Sequence, residues 1–191
     1  GNELESVDLN MTAALELAVT GTMTLDAFGF VVATGTLTLE KSTATIDDGN
    51  VAIGSFDANV MVLTLENVNL FAGVGGSLNA NGAGLADDTV NKDNGIGFYV
   101  EGVSLKLVTV QNTADLTKKY TGLELSLSEA GLVGIPDLTL KVSGAVQVNQ
   151  GPVGLDRLNW TQVTGTGNEL ESVDLNMTAA LELAVTGTMT L

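Results

Sequence analysis

The 191-residue chain contains no cysteine and no histidine, which removes the commonest reactive side chains. Without Cys there are no disulfide frameworks, thiol nucleophiles or thiolate metal ligands. A nucleophilic enzyme would need Lys or a carboxylate as its base. Paired carboxylates occur at Asp47–Asp48 and Asp87–Asp88, but neighbouring loop side chains point apart, whereas glycosidase chemistry needs two carboxyls facing one cleft. The sequence therefore predicts that the protein is not an enzyme.

Basic residues are also scarce: 7 Lys and Arg stand against 23 Asp and Glu, a net charge of -16. Such a surface repels nucleic acid and anionic membranes and collects cations. Nucleic acid is therefore excluded as a partner. No apolar run approaches the roughly 18 residues that a membrane-spanning helix needs, so this segment is expected to have no membrane span.

Aromatic residues make up only 4 % of the chain, and there are two prolines. Hydrophobic residues nevertheless reach 45 %, with the weight in Val, Leu, Ala and Ile, beside 23 Gly and many Thr. This composition is typical of packed strands joined by tight turns and not of a helical bundle.

The first 25 residues, GNELESVDLNMTAALELAVTGTMTL, recur letter for letter at residues 167–191. Residue 167 corresponds to residue 1, so the period is 166 residues. Long self-similarity of this kind predicts a tandem array whose units bury their apolar faces against neighbours. We interpret residues 1–166 as one full unit and residues 167–191 as the start of the next.

Alternation with a period of two predicts strands at residues 15–25, 30–39, 60–71, 98–107, 120–135 and 138–148. Four of them carry a glycine in mid-strand (Gly21, Gly35, Gly102 and Gly144), and residues 60–71 have Asn67 near that place. Glycine within a strand indicates a bulge, a bend or a close backbone approach; the alternative is a small residue filling a narrow interior. The predicted fold class is all-β and elongated, a β-solenoid-like or continuous β-rod built from tandem units.

Two regions lack this alternation. Residues 74–97 are polar and rich in Gly and Asn, and are expected to form an exposed excursion from the sheet. Residues 149–166 contain the only Arg, Arg157, and the only Trp, Trp160, and precede the second copy. This region is the natural junction between units, and Trp160 is expected to fill it.

Calcium is the one cofactor that the sequence suggests. It prefers six to eight oxygen ligands, which acidic Gly-rich turns supply. The candidate ligands are Asp87, Asp88, Asp93, Asn94, Asp47 and Asp48. Neither group matches the EF-hand loop or the glycine-rich calcium repeat, so solvated turns are the alternative interpretation.

Four segments, in order, resemble repeat units of very large, uncharacterised tandem-repeat bacterial proteins similar to surface adhesins or fibres. They are FAGVGGSLNANG, GIGFYVEGVSLKLVTV, YTGLELSLSEAGLVGIPDLTLKVSGAVQVNQ and LNWTQVT. The resemblance covers most of the period. It implies an array and carries no catalytic residue, cofactor or partner.

The function predicted from these observations is a structural spacer or filament-forming repeat of a giant extracellular protein at the cell surface. Its partners would be neighbouring copies of the same repeat, with lateral self-association as a further expectation. The alternative is an adhesive ligand-binding module in which residues 74–97 contact the ligand and calcium takes part.

Overall fold

The computed structural model describes residues 12–80, 82, 84–166, 173 and 175–191. In this part of the chain the regular structure consists of strands and a 3₁₀ helix, Trp160–Gln162. The strands are β1 Leu15–Ala27, β2 Val31–Asp47, β3 Phe56–Val74, β4 Ser77–Asn79, β5 Thr89–Asn91, β6 Ile96–Asn112, β7 Lys119–Val133, β8 Lys141–Gln150, β9 Thr164–Thr166 and β10 Leu183–Thr190. The prediction of an all-β fold is confirmed.

A large antiparallel sheet has seven strands side by side in the order β1-β2-β3-β6-β7-β8-β10, and β9 pairs with the end of β2. The six predicted strands correspond to β1, β2, β3, β6, β7 and β8. Several are longer than the alternation predicts. In β2, for example, the strand continues beyond Leu39 through the buried Ser42, Ala44 and Ile46, and the first two are small residues that carry little hydrophobic signal.

One face of the sheet is covered at one end by the described residues between β8 and β10, which are 151–166, 173 and 175–182 and which we call the strap. Its 3₁₀ helix lies over the sheet, β9 pairs with β2, and residues 175–182 lead into β10. Trp160 and Leu175 are 3 % and 1 % exposed and pack with Val60, Val108 and Tyr120 of the sheet. This cluster is the main hydrophobic core of the described residues.

The hairpin β4–β5 covers the other end of the same face, over the fully buried Phe71. Gly95 lies so close to this ring that an added Cβ would be 2.6 Å from Phe71 Cζ. The Lys92 Nζ sits 4.7 Å from the centre of the Tyr99 ring. The expected excursion at residues 74–97 is thus present between Val74 and Ile96, which themselves pair in the large sheet, and its described residues form a hairpin that packs on an aromatic residue.

The opposite face of the sheet is formed by rows of aliphatic residues that run across all seven strands, and we call it the aliphatic face. The first row is Val19, Leu39, Leu63, Leu107, Leu123, Val148 and Leu183. The second row is Gly21, Leu37, Leu65, Leu105, Leu125, Val146 and Val185. The third row is Leu25, Ala33, Leu70, Val100, Ala130, Val142 and Met189.

The strand pairing is irregular between the second and third rows, and also between Leu15 and Leu17 at the start of β1. Asn67 and Gly102 have left-handed backbones, with φ of 51° and 61°, at the shifts in register between β3 and its neighbours. Asn and Gly adopt this conformation at the least cost. An added Cβ on Gly35 would lie 2.8 Å from Val68 Cγ2. The predicted bulge and close approach are therefore confirmed at Gly102 and Gly35.

Candidate assembly interface

The repeated sequence forms both edges of the large sheet. β1 from the first copy pairs with β2, and β10 from the second copy pairs with β8. Val19 and Val185 are the same position of the repeat, since the period is 166 residues. Val19 lies opposite Leu39, whereas Val185 lies opposite Val146.

The two copies use opposite edges of the same strand. Every neighbouring pair in the sheet is antiparallel, so β1 and β10, six steps apart, run in the same direction. Val19 and Val185 also point to the same face, the aliphatic face. The edge of β1 that faces away from β2 is therefore open, and it corresponds to the edge of β10 that pairs with β8. The open edge of β10 corresponds in turn to the edge of β1 that pairs with β2. An open edge of this kind is a template for another strand.

Apolar side chains are exposed along both edges. Val19 and Met23 of β1 are 45 % and 43 % exposed, and their counterparts Val185 and Met189 of β10 are 68 % and 63 % exposed. A strand added at either edge would cover part of this surface.

The second copy also contributes to the core. Val173, Leu175 and Met177 are at most 4 % exposed and belong to the cluster beneath the strap. Their counterparts in the first copy, Val7, Leu9 and Met11, lie outside the described residues. The core of residues 12–166 is thus completed by residues that open the second copy.

Asn149 joins the two legs of the strap to the sheet. It is fully buried at the end of β8. Its Nδ2 donates to the carbonyl of Leu158 on the outgoing leg at 2.9 Å and to that of Thr178 on the returning leg at 3.1 Å. Its Oδ1 accepts a 2.9 Å bond from Trp160 Nε1. Each polar atom of this amide is therefore satisfied inside the core.

Two carboxylates fix the strap from below. Asp48 is 2 % exposed and its Oδ2 accepts the backbone amide of Asn159 at 2.9 Å. Glu124 Oε1 accepts the amide of Asn176 at 2.8 Å and a bond from Gln147. Hydrogen bonds to a charged acceptor are stronger than neutral ones, so both carboxylates hold the strap in place.

The predicted calcium ligands lie in two separate turns. Asp47 accepts the amide of Gly49 at 2.8 Å, and Asp48 binds the strap as described. Asp87, Asp88, Asp93 and Asn94 lie in and beside the β4–β5 hairpin, and all but the half-buried Asp88 are exposed. Among the residues that the structure describes, no three acidic side chains come together as a metal site. Calcium binding remains a prediction.

The polar part of the covered face forms a groove between strap and hairpin, with a volume of about 440 Å³. Lys106, Ser126 and Asn176 line it together with Glu124 and Gln147. Glu124 accepts hydrogen bonds from Gln147 and from the strap, so hydrogen bonds among the lining residues fix the shape of the groove.

A polar cluster lies at the hairpin end of the same face. The Tyr99 hydroxyl donates to Glu129 Oε1, which also accepts from Lys141 Nζ at 2.9 Å. Burial, followed by the hydrogen bond to Glu129, raises the pKa of Tyr99 to about 12. The bonds from Tyr99 and Lys141 lower the pKa of Glu129. Tyr99 is therefore held protonated and serves as a donor.

No protein-family model, curated protein or solved structure matches this chain. Among the described residues, no helix has the length and hydrophobicity to cross a bilayer.

Proposed function

We propose that this chain is a structural spacer from a giant extracellular protein at the cell surface, and that one antiparallel sheet continues from repeat to repeat. The observation that supports this is the position of the duplicated strand at both edges of the sheet, with opposite edges paired. β10 is then the β1 strand of the next unit. Of the two elongated forms expected from the sequence, this is the continuous β-rod.

Strand direction is compatible with such continuation. One unit contributes six of the strands that lie side by side in the large sheet, β1, β2, β3, β6, β7 and β8, while the short β9 pairs beyond the end of β1. An even number keeps every new pair antiparallel, because β10 already runs in the direction of β1. At the spacing of about 4.8 Å between neighbouring strands, each unit would add about 29 Å.

The register adds a sideways step to each unit. The second aliphatic row begins at Gly21 and ends at Val185, which is the counterpart of Val19 and not of Gly21. Successive units would therefore be offset by two residues, about 7 Å along the strands. An offset of about 7 Å for every 29 Å across the strands inclines the array axis by about 13° to the rows.

The mechanical role follows from the direction of the hydrogen bonds. In this arrangement the hydrogen bonds between strands point along the array. Extension would therefore load all the hydrogen bonds between two neighbouring strands at the same time. In the sequence, no linker separates residue 166 from residue 167, where the next copy begins. The acidic surface keeps arrays soluble and limits lateral association to an uncharged surface.

Small-angle X-ray scattering on proteins of four, six and eight units tests this proposal, because in these proteins the array is longer than its longest strand, the 19-residue β3. A continuous sheet gives a maximum dimension whose growth approaches about 29 Å per unit and a constant cross-section. Independent modules joined by flexible segments would give a growth per unit that falls as units are added, and this result would exclude the continuous sheet.

A further inference from the structure

We propose that the aliphatic face is a docking surface for the same face of a second copy of this chain. The strap and the hairpin both lie on the other face of the sheet, and none of the described elements packs on the aliphatic face. Its inner residues are only half-buried, apart from the small Ala130, and Leu183, at the edge, is 61 % exposed.

The area of this face is that of a protein interface. On a sheet, one residue of a face occupies about 33 Å², from the strand spacing and the two-residue repeat along a strand. Three rows of seven residues therefore offer about 700 Å². Soluble monomers rarely expose an apolar patch larger than a few hundred Å², and a standard interface buries about 800 Å² on each partner.

Charge directs two copies toward this face. None of the three rows contains a charged residue, although the chain carries a net charge of -16. The remaining surfaces of two copies repel each other, whereas the aliphatic faces do not. The rows also contain no polar side chain, so the partner must itself be an aliphatic surface without unsatisfied polar groups.

A second sheet of the same sequence is the partner with matching dimensions. Its strands have the same spacing and its aliphatic rows the same separation, so the side chains of two sheets can interdigitate about 10 Å apart. A small globular partner would match only part of a repeating face. A second copy matches all of it, and in an array the contact would grow with every unit.

This inference goes beyond the proposed spacer function and needs only the single chain. If a 191-residue chain stays monomeric, the continuous sheet between repeats is unaffected. If arrays prove discontinuous, two single chains can still pair through their faces. The two proposals therefore fail separately.

Sedimentation equilibrium of the full chain, Leu105→Glu and Ser104→Glu provides the test. Both residues belong to β6, the middle strand, three strands from either edge. Leu105 lies on the aliphatic face, and Ser104 is exposed on the other. We expect the wild type and Ser104→Glu to form dimers with micromolar dissociation constants, and Leu105→Glu to weaken dimerisation by about 100-fold, because a charge would be buried without a partner.

Circular dichroism checks that each variant is folded, and Leu105→Thr replaces Leu105→Glu if the charge prevents folding. A wild type that remains monomeric at about 100 µM overturns the proposal. A Leu105→Glu protein that dimerises as tightly as the wild type also overturns the proposal. That result would indicate association through the strand edges, which the substitution does not change. Binding of a monomeric wild type to neutral phosphatidylcholine vesicles would assign the face to lipid and also overturn it.

Discussion

Val19 and Val185 occupy the same position of the repeat and lie on the same face of one sheet, at its opposite edges. Val19 is paired through β2, and Val185 is paired through β8. One short sequence thus has two different neighbours in a single molecule. The chain provides matched pairs of residues in which only the surroundings differ.

Gly21 and Gly187 are such a pair. An added Cβ at Gly21 has no atom within 4 Å, whereas at Gly187 it would lie 2.9 Å from the carbonyl oxygen of Ser143. Gly21→Ala is expected to be neutral or to stabilise by up to about 1 kcal/mol, since alanine restricts the unfolded chain. Gly187→Ala is expected to destabilise by about 1–2 kcal/mol. Urea unfolding measures both, and equal effects would contradict the close β8–β10 pairing.

Asn149 is the central polar residue of the strap. Asn149→Ala leaves the Leu158 and Thr178 carbonyls and the Trp160 indole without their partner. We expect a loss of about 2–4 kcal/mol in the free energy of unfolding. The neighbouring, exposed Gln150→Ala is the control and should change stability by less than about 0.5 kcal/mol. Comparable losses in the two variants would mean that the buried amide has no special role.

The pKa of Tyr99 predicts a loss of stability in alkali. Its pKa is about 12 in the folded protein and about 10 in an unfolded chain. The folded state therefore keeps the Tyr99 proton to a higher pH than the unfolded chain does. The stability that the protonated Tyr99 contributes to the folded state is present below about pH 10 and is lost as the pH rises toward 12. Tyr99→Phe removes this titration.

We accordingly expect the unfolding free energy of Tyr99→Phe to fall less steeply than that of the wild type between about pH 10 and pH 12. Denaturant unfolding across this range measures the two slopes. Tyr120, whose pKa is also raised by burial, is present in both proteins and contributes to both slopes. Parallel curves would show that Tyr99 does not titrate differently in the two states.

The acidic turns predict a weak response to calcium. Asp47 and Asp48 are engaged by backbone amides, and the described acidic residues form no three-membered cluster. We expect the calorimetric melting temperature in calcium to match that in chelator within about 1 °C, since a ligand stabilises only by binding the folded state. A larger rise in calcium, abolished by Asp93→Asn, would establish the metal site predicted from the sequence.

Alternation predicted the long strands well because every second residue from Leu17 to Leu25, like every second residue from Val142 to Val148, lies on the same face of the sheet. The ends of strands were less predictable. Beyond Leu39 the buried positions of β2 are Ser42, Ala44 and Ile46, and the first two are small residues that are also common in loops.

The roles of Asn149 and Asp48 could not be predicted from local sequence. Both stand in turn-like runs, and Asp48 has the pattern of a calcium ligand. Their burial depends on the strap returning across the sheet, which brings Asn159 to Asp48 from 111 positions away. Gly122 gave no signal either, although an added Cβ there would lie 2.8 Å from the Trp160 ring. Contacts of this range depend on the topology and not on neighbouring residues.

Electron cryo-microscopy of a four-unit protein tests the central claim most directly. We predict that β8 of each unit pairs with β1 of the next, with Val146 opposite the following copy of Val19, and that equivalent Trp160 residues recur about every 29 Å across the strands. Separate sheets with β1 of each unit unpaired on its outer edge, or a variable distance between successive Trp160 residues, would contradict the account.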